Sequence, residues 1–514
     1  MHSLNKKTLI GAALVVCGMG TAMPSNAAPR PDFVVAVQKN PPTLEPLREN
    51  SNVAMRVIYN VLETLIEIDF NDNFKLVPGL ATSWKRIDDK TIEFKLRSGV
   101  KCQNGEDFDA EDVAFSFGKE RFLDENAPGW PVAKQYLGGL QGVEVIDSGT
   151  VRISSKKADP LLEQRMSNYM GQIICKDAYL GAKDWDDWSR HVVGTGPYKL
   201  AEIKTGEYIK LEAFDGYWGE KAPAKTVTFK VVPETAARIA GLTTGEFDII
   251  TELPPDQLKK LNETQGISTS GGAIRNIRTI DYDKTSGVLQ NPLIRQALGL
   301  AIDRQLIVET LFNGKTTVPL GMQQELFGDM YLKDWPPLEY NPSKAKELLK
   351  QANYHNQEIV YRVLSNYYTL ELSTAQILLE MWKAVGLNVR LDVKENWSQI
   401  EKDDGRGIHN ASNTAVYPDP VGQLWRRYGP NGGMQRRGEW VNEDFNRLGN
   451  ILESSTDLTE RRDVFRKMLE IFHNTDPAAT PLYALPMFYG KKDSFEWKAL
   501  TYEYMSLRAD NLKF

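Results

Sequence analysis

The chain has 514 residues, too many for one ordinary hydrophobic core, so its length alone asks for two or three domains. With 41% hydrophobic, 25% charged and 10% aromatic residues it has the composition of a soluble globular protein. Its formal net charge of −6 argues against nucleic acid or anionic membrane as a bulk partner.

The N-terminus carries Lys6-Lys7, an apolar run from Leu9 to Met23 and small residues at Ser25-Asn26-Ala27, the pattern of a secretory signal peptide over 1–27. The run is shorter than the roughly 20 residues of a spanning helix, which disfavours an anchor. Leu14-Val15-Val16 before Cys17 lacks the small residue of a lipidation site. Export leaves Cys102 and Cys175, and spacing leaves a disulfide and two buried thiols equally open.

Phe33 to Val37 reads as a short apolar strand that runs into the polar loop Gln38-Lys39-Asn40-Pro41-Pro42. Val53 to Leu65 has helical apolar spacing and leads into Leu65-Ile66-Glu67-Ile68-Asp69. There Glu67 is either an edge-strand acid facing water or a ligand contact. From Leu80 to Phe117 the pattern is strand, turn and capped helix. Ile92, Phe94 and Leu96 alternate with Glu93, Lys95 and Arg97, Asn104-Gly105 turns the chain, and Asp109 caps a helix with acids in its first turn.

Gly194-Thr195-Gly196-Pro197 is followed by a strand pattern, not by the Gly-Lys-Ser/Thr or third glycine of a nucleotide loop, so its glycines read as a tight turn. Thr235 to Leu242 reads as a helix stopped by Gly245. Asn276 to Tyr282 alternates, Tyr340 to Leu349 is a capped amphipathic helix, and Thr374 to Val385 is a helix stopped by Gly386 before a strand at Leu387 to Leu391.

Several of these stretches carry a resemblance. Leu80-Ala81-Thr82-Ser83-Trp84, Phe94-Lys95-Leu96-Arg97 with Gly99-Val100-Lys101, Asn104-Gly105 and Ala110-Glu111-Asp112-Val113 resemble the signature region of the extracellular solute-binding proteins of family 5, the peptide, nickel and opine class of ABC importers. Gly194-Thr195-Gly196-Pro197-Tyr198, Gly245-Glu246-Phe247-Asp248-Ile249, Arg295-Gln296-Ala297-Leu298 and Ala301-Ile302-Asp303-Arg304 match the same family in order. The resemblance implies an α/β, bilobal periplasmic-binding-protein fold of class II (cluster C) type, with mixed sheets in each lobe and hinge strands between them. Lobe 1 is expected at 28–278 and 485–514, and lobe 2 at 279–484. It also implies a periplasmic monomer with no catalysis and no cofactor, which closes on a small molecule and docks on ABC permease subunits.

Peptide-binding members carry a pattern resembling Arg-x-x-Trp-x-x-Asp just before a motif like Tyr417-Pro418-Asp419-Pro420. Its acid falls here on Val416, its tryptophan on Asn413 and its arginine on Asn410. A buried ammonium without its acid costs several kcal/mol, so an ordinary free-amine peptide fits poorly. Asn410, Ser412 and Asn413 are neutral donors and acceptors suited to hydroxyls and carbonyls. The expectation is therefore a sugar-phosphate, opine or oligosaccharide ligand, with an oligopeptide or dipeptide as the alternative. Candidate ligand-facing residues are Asn40, Glu67, Arg275, Trp397, Asn410, Ser412, Asn413, Tyr417, Trp425 and Arg436. Arg436 stands for a crowd with Arg406, Arg426, Arg427 and Arg437, whose planar forks suit carboxylate or phosphate. His191, His355, His409 and His473 are scattered without ligand spacing, so no metal is expected. A secreted hydrolase ranks last, for want of Gly-x-Ser-x-Gly or His-Glu-x-x-His.

Overall fold

In the computed structural model, which describes residue 1 and residues 30–514 apart from positions 73 and 366, the expected strand over Phe33 to Val37 is β1 (Asp32–Val37). The body of the expected leader, residues 2–27, lies outside the described residues. β1 has a parallel neighbour on each edge and is nearly all apolar because both its faces are covered: Phe33, Val35 and Val37 pack into one cluster and Val34 and Ala36 into another. With β2 (Tyr198–Lys204), β3 (Tyr208–Ala213), β4 (Thr226–Val231), β5 (Ile249–Ile250), β6 (Ile267–Tyr282), β7 (Ile359–Leu364), β8 (Val389–Lys394), β9 (Ile408–Thr414) and β10 (Ala479–Lys492) it builds one mixed sheet. The strand order is β2-β3-β4-β1-β5-β10-β6-β9-β7-β8.

The mixed sheets expected in the two lobes run into one another through the long strands between them. These are β6 and β10, of 16 and 14 residues, which pair antiparallel from Ile267 opposite Lys492 to Asp281 opposite Ala479, with register shifts after Ala273 and Arg278. Gly271 permits their closest approach: its φ is +105°, and a Cβ there would lie 2.1 Å from the Met487 carbonyl oxygen.

A separate four-stranded antiparallel sheet holds Thr91–Leu96 between Ala81–Arg86 and Thr150–Ser155. Ile92 and Phe94 are buried and Lys95 is exposed, as the alternation predicts. Asp109 caps helix Ala110–Ser116 in a reciprocal capping box with Asp112. Asp112 also accepts from the Lys176 backbone N–H at 2.8 Å, and burial pushes its carboxyl up to about 6. Cys102 and Cys175 form a disulfide with a Cα–Cα distance of 6.2 Å.

The helix expected over Val53 to Leu65 is shorter, Asn52–Ile58. The carbonyls of Asn60 and Val61 are taken by the N–H groups of Tyr198 and Gly196, so the Gly194–Pro197 turn ends the helix. A Cβ at Gly196 would stand 2.7 Å from the Val61 oxygen. The other helices form at Thr235–Thr244, Pro342–Gln351 and Glu371–Ala384. Among the described residues no helix is long and apolar enough to cross a membrane.

The largest apolar cluster contains Phe33 and Val35 of β1 but also Tyr417, Trp425, Trp440 and Phe465. A second gathers Ile280, Tyr361, Trp382 and Tyr483 around the far half of the sheet. Residues of the segment from 415 to 472 therefore share a cluster with residues of the N-terminal half.

Candidate ligand cleft

The seam is built where loops from both halves of the sheet meet. After β1, the Gln38 Nε2 donates to the Tyr367 carbonyl at 2.8 Å, and the Asn52 N–H donates to the Tyr367 hydroxyl at 3.2 Å. Tyr367 stands edge-on to Tyr368 and to Trp397, with centroids 4.7 and 5.2 Å apart. Tyr368 donates to Ser412 Oγ at 3.0 Å, and Asn276 Nδ2 reaches the same oxygen at 3.2 Å.

β6 and β9 set this face. Asn276 pairs with Thr414 and Arg278 with Ser412, so by strand alternation these four side chains share one side of the sheet. Asn276 Nδ2 also donates to Thr414 Oγ1 and to Glu503 Oε1, both at 2.9 Å. The Thr414 hydroxyl donates to Glu503 too, and Tyr169 Oη donates to Glu503 Oε2 at 2.9 Å. Burial pushes the Glu503 carboxyl up, against these hydrogen bonds, which favour its charged form.

Farther along the seam a cavity of about 240 Å³ is lined by Tyr136, Lys156, Arg165, Trp425, Arg426 and Glu453. Arg165 bridges it, donating to Asp159 and to Glu453, both at 2.7 Å. Trp425 Nε1 donates to the other Glu453 oxygen at 3.0 Å. Tyr417 is buried with the Arg165 guanidinium 5.9 Å from its ring centre, and Asp419 takes a bidentate pair from Arg461 Nη2 at 2.9 Å.

The ten sequence candidates fall in several neighbourhoods. Trp397 and Ser412 lie at the Tyr367–Tyr368 junction, and Tyr417 and Trp425 beside Arg165 and Glu453. Asn410 is held beneath helix Glu371–Ala384, accepting from the Tyr361 hydroxyl and donating to Glu371 at 2.9 Å. Asn413 faces the other side of the sheet, donating to the Gln423 carbonyl at 3.2 Å and accepting from Arg426 at 2.9 Å. Asn40 is tied to the Phe229 carbonyl at 2.7 Å. Glu67 lies 3.7 Å from Arg508, which it shares with Glu63. Arg275 stands 5.7 Å over the Phe74 ring, its Nε without a partner. Arg436 is exposed and donates to the Pro131 carbonyl.

The arginine crowd resolves largely into structural ion pairs. Arg427 holds Asp281, Arg406 holds Asp283, and Arg437 holds Glu439. His409 and Arg437 keep Glu439 ionised well below the ordinary carboxylate range although burial works against it. Among the described residues no three His, Cys, Asp or Glu side chains cluster as a metal site. Sequence reading missed Tyr169, Asn276, Tyr368, Thr414 and Glu503. The sole local hint was an acid between two tyrosines, Tyr502-Glu503-Tyr504.

Residues 75–435 match the profile of the bacterial extracellular solute-binding proteins, family 5 middle region. The glutathione-binding protein GsiB of Salmonella paratyphi A is 28% identical over 398 residues, 77% of this chain and 75% of that one. The periplasmic binding protein DppA from Helicobacter pylori in complex with the peptide STSA superposes with a TM-score of 0.84 at 22% identity, covering 94% of this chain and 98% of that one. AgaA in complex with agropinic acid, from A. tumefacien R10, superposes with a TM-score of 0.83 at 20% identity, covering 94% and 98%.

Proposed function

The chain belongs to the bacterial extracellular solute-binding proteins of family 5, and we propose that the solute it delivers to its ABC importer is a short peptide. It is a transport protein of the periplasmic or extracellular class and not an enzyme. The observation that carries the peptide reading is the match, across three-quarters of both chains, to a glutathione-binding protein, since glutathione is itself a tripeptide. The seam is compatible with it. Asn276 Oδ1 has no partner within the protein and is a neutral acceptor suited to an amide N–H, and Tyr367, Tyr368 and Trp397 offer aromatic rings.

The sugar-phosphate and opine expectation rested on two features that now weigh less. Most of the arginines meant for an anionic group already hold acids of the protein. Asn410 and Asn413, meant for hydroxyls, have both side-chain ends occupied. AgaA, the neighbour with agropinic acid, shares the fold at 20% identity. We take 28–278 with 485–514 as one moving body and 279–484 as the other, closing about β6 and β10.

Thermal-shift measurements on the mature protein with glutathione, di- to pentapeptides and sugar phosphates test this. A true ligand at 100 times its Kd adds about 2.7 kcal/mol to the folded state. Stabilisation by peptides is expected. Stabilisation by sugar phosphates alone refutes the reading.

A further inference from the structure

The geometry points to Glu503 as the acceptor for a ligand ammonium group, so that the transported solute carries a free amine. The inference rests on the peptide reading and narrows it to peptides with an unblocked N-terminus.

Glu503 is fully buried. A carboxylate in that position costs several kcal/mol, about the effective desolvation penalty of one ion, unless a cation or a dense set of donors meets it. Equally buried acids of this protein have their cation: Glu45 has Arg121 at 2.8 Å, Asp281 has Arg427 and Glu439 has Arg437. Among the described residues no lysine, arginine or histidine nitrogen pairs with Glu503, and its side-chain partners, Tyr169, Asn276 and Thr414, are all neutral.

Two further observations point the same way. Asn276, whose Nδ2 already holds Glu503, has a buried Oδ1 with no hydrogen-bond partner. The Tyr502 hydroxyl is buried without a partner as well. A primary ammonium brings three N–H donors and no acceptor, which matches a carboxylate oxygen beside unsatisfied oxygens. The surroundings are tyrosine rings: Tyr169 lies 6.2 Å from Tyr136, 5.8 Å from Tyr502 and 5.7 Å from Tyr504. Their π faces attract a cation and repel an anion.

The group also sits where binding can report on closure. Tyr169 comes from the N-terminal half, Asn276 and Thr414 from the strands leading into the far half, and Glu503 from the returning tail. An ammonium here touches segments of both halves at once.

Calorimetric titration of mature protein stripped of endogenous ligand, using trialanine and glutathione and their N-acetyl forms, tests the assignment. Acetylation is expected to weaken binding at least 100-fold in the wild type. E503Q is expected to lose that preference, binding free and acetylated forms within about threefold of each other. If E503Q does not fold, N276A takes its place and is expected to weaken only the free-amine forms, by about tenfold. Equal binding of both forms by the wild type, or a preference kept intact in the folded variant, overturns the assignment and leaves the peptide reading standing. Failure of every peptide form to bind refutes the peptide reading and the assignment with it.

Discussion

The Cys102–Cys175 cross-link offers a magnitude that can be worked directly from the structure. It joins positions 73 apart, so in the unfolded chain it closes a loop of that length. The loop-entropy relation then assigns it about 4 kcal/mol of stability at 25 °C. Cys102 sits in the turn after Thr91–Leu96, and Cys175 precedes helix Lys176–Gly181, so the bond ties the four-stranded sheet to the segment before the Gly194 turn. Both side chains are buried, at 0% and 1% exposure. For a cooperative unit of 150–250 residues each kcal/mol moves Tm by about 2–4 °C, so losing the bond lowers the melting of that unit by roughly 10 °C. The assay is differential scanning calorimetry of the exported protein with and without reductant, beside a C102A/C175A variant. Reductant should leave the variant unchanged and bring the wild type near it. Wild type, reduced protein and variant all melting within about 2 °C of one another would refute the reasoning, because the relation cannot yield so small an effect for so long a loop.

Burial, opposed by Arg508 and aided by Glu63, raises the Glu67 carboxyl from 4.5 to about 7, so the folded state holds an extra proton between those values. Stability from this group is then greatest below pH 4.5 and falls as pH rises towards 7. E67Q should gain up to about 3 kcal/mol over wild type at pH 8 and nothing at pH 4 in urea titrations; a gain independent of pH would count against this origin. R461A strands the buried Asp419 carboxylate and should lower unfolding stability by about 3–5 kcal/mol, whereas an effect under 1 kcal/mol would show that Asp419 finds other partners. E453Q weakens the Arg165 bridge across the seam, a charged hydrogen bond worth about 1.5–3 kcal/mol. It should raise the radius of gyration of unliganded protein in X-ray scattering and loosen ligand binding about tenfold; unchanged scattering and affinity would remove the bridge from closure.

Local patterns carried much of the fold. The alternation of Ile92 and Phe94, the Asp109 cap, the Gly245 stop and the Pro342 helix are short-range effects, set by neighbours within a few residues, and they stand in the structure where spacing put them. The Asn52–Ile58 helix is shorter than its pattern because two of its following carbonyls are taken by a turn more than a hundred residues away.

The candidate site was legible only in part. Reading Trp397 to Trp440 as the ligand segment took in Trp397 and Ser412, which lie at the Tyr367–Tyr368 junction, but it treated adjacent residues as equivalent. Strand alternation sends Asn413 to the opposite face from Ser412 and Thr414, and the ladder with β6 decides which face meets the seam. The arginines looked alike in sequence. Two of their acids, Asp281 for Arg427 and Asp283 for Arg406, lie 146 and 123 positions away, so those pairings were invisible.

By itself the sequence determined the family, through ordered motifs whose turns and caps are local, and with it the architecture and the transport role. Only the tertiary structure decided that the two halves share one sheet, that the cysteines pair and that an acid from the last dozen residues stands against Asn276 and Thr414. Those facts depend on contacts between residues far apart in the chain, from the 73 positions between Cys102 and Cys175 to the 227 that separate Asn276 from Glu503, and no local pattern encodes such distances.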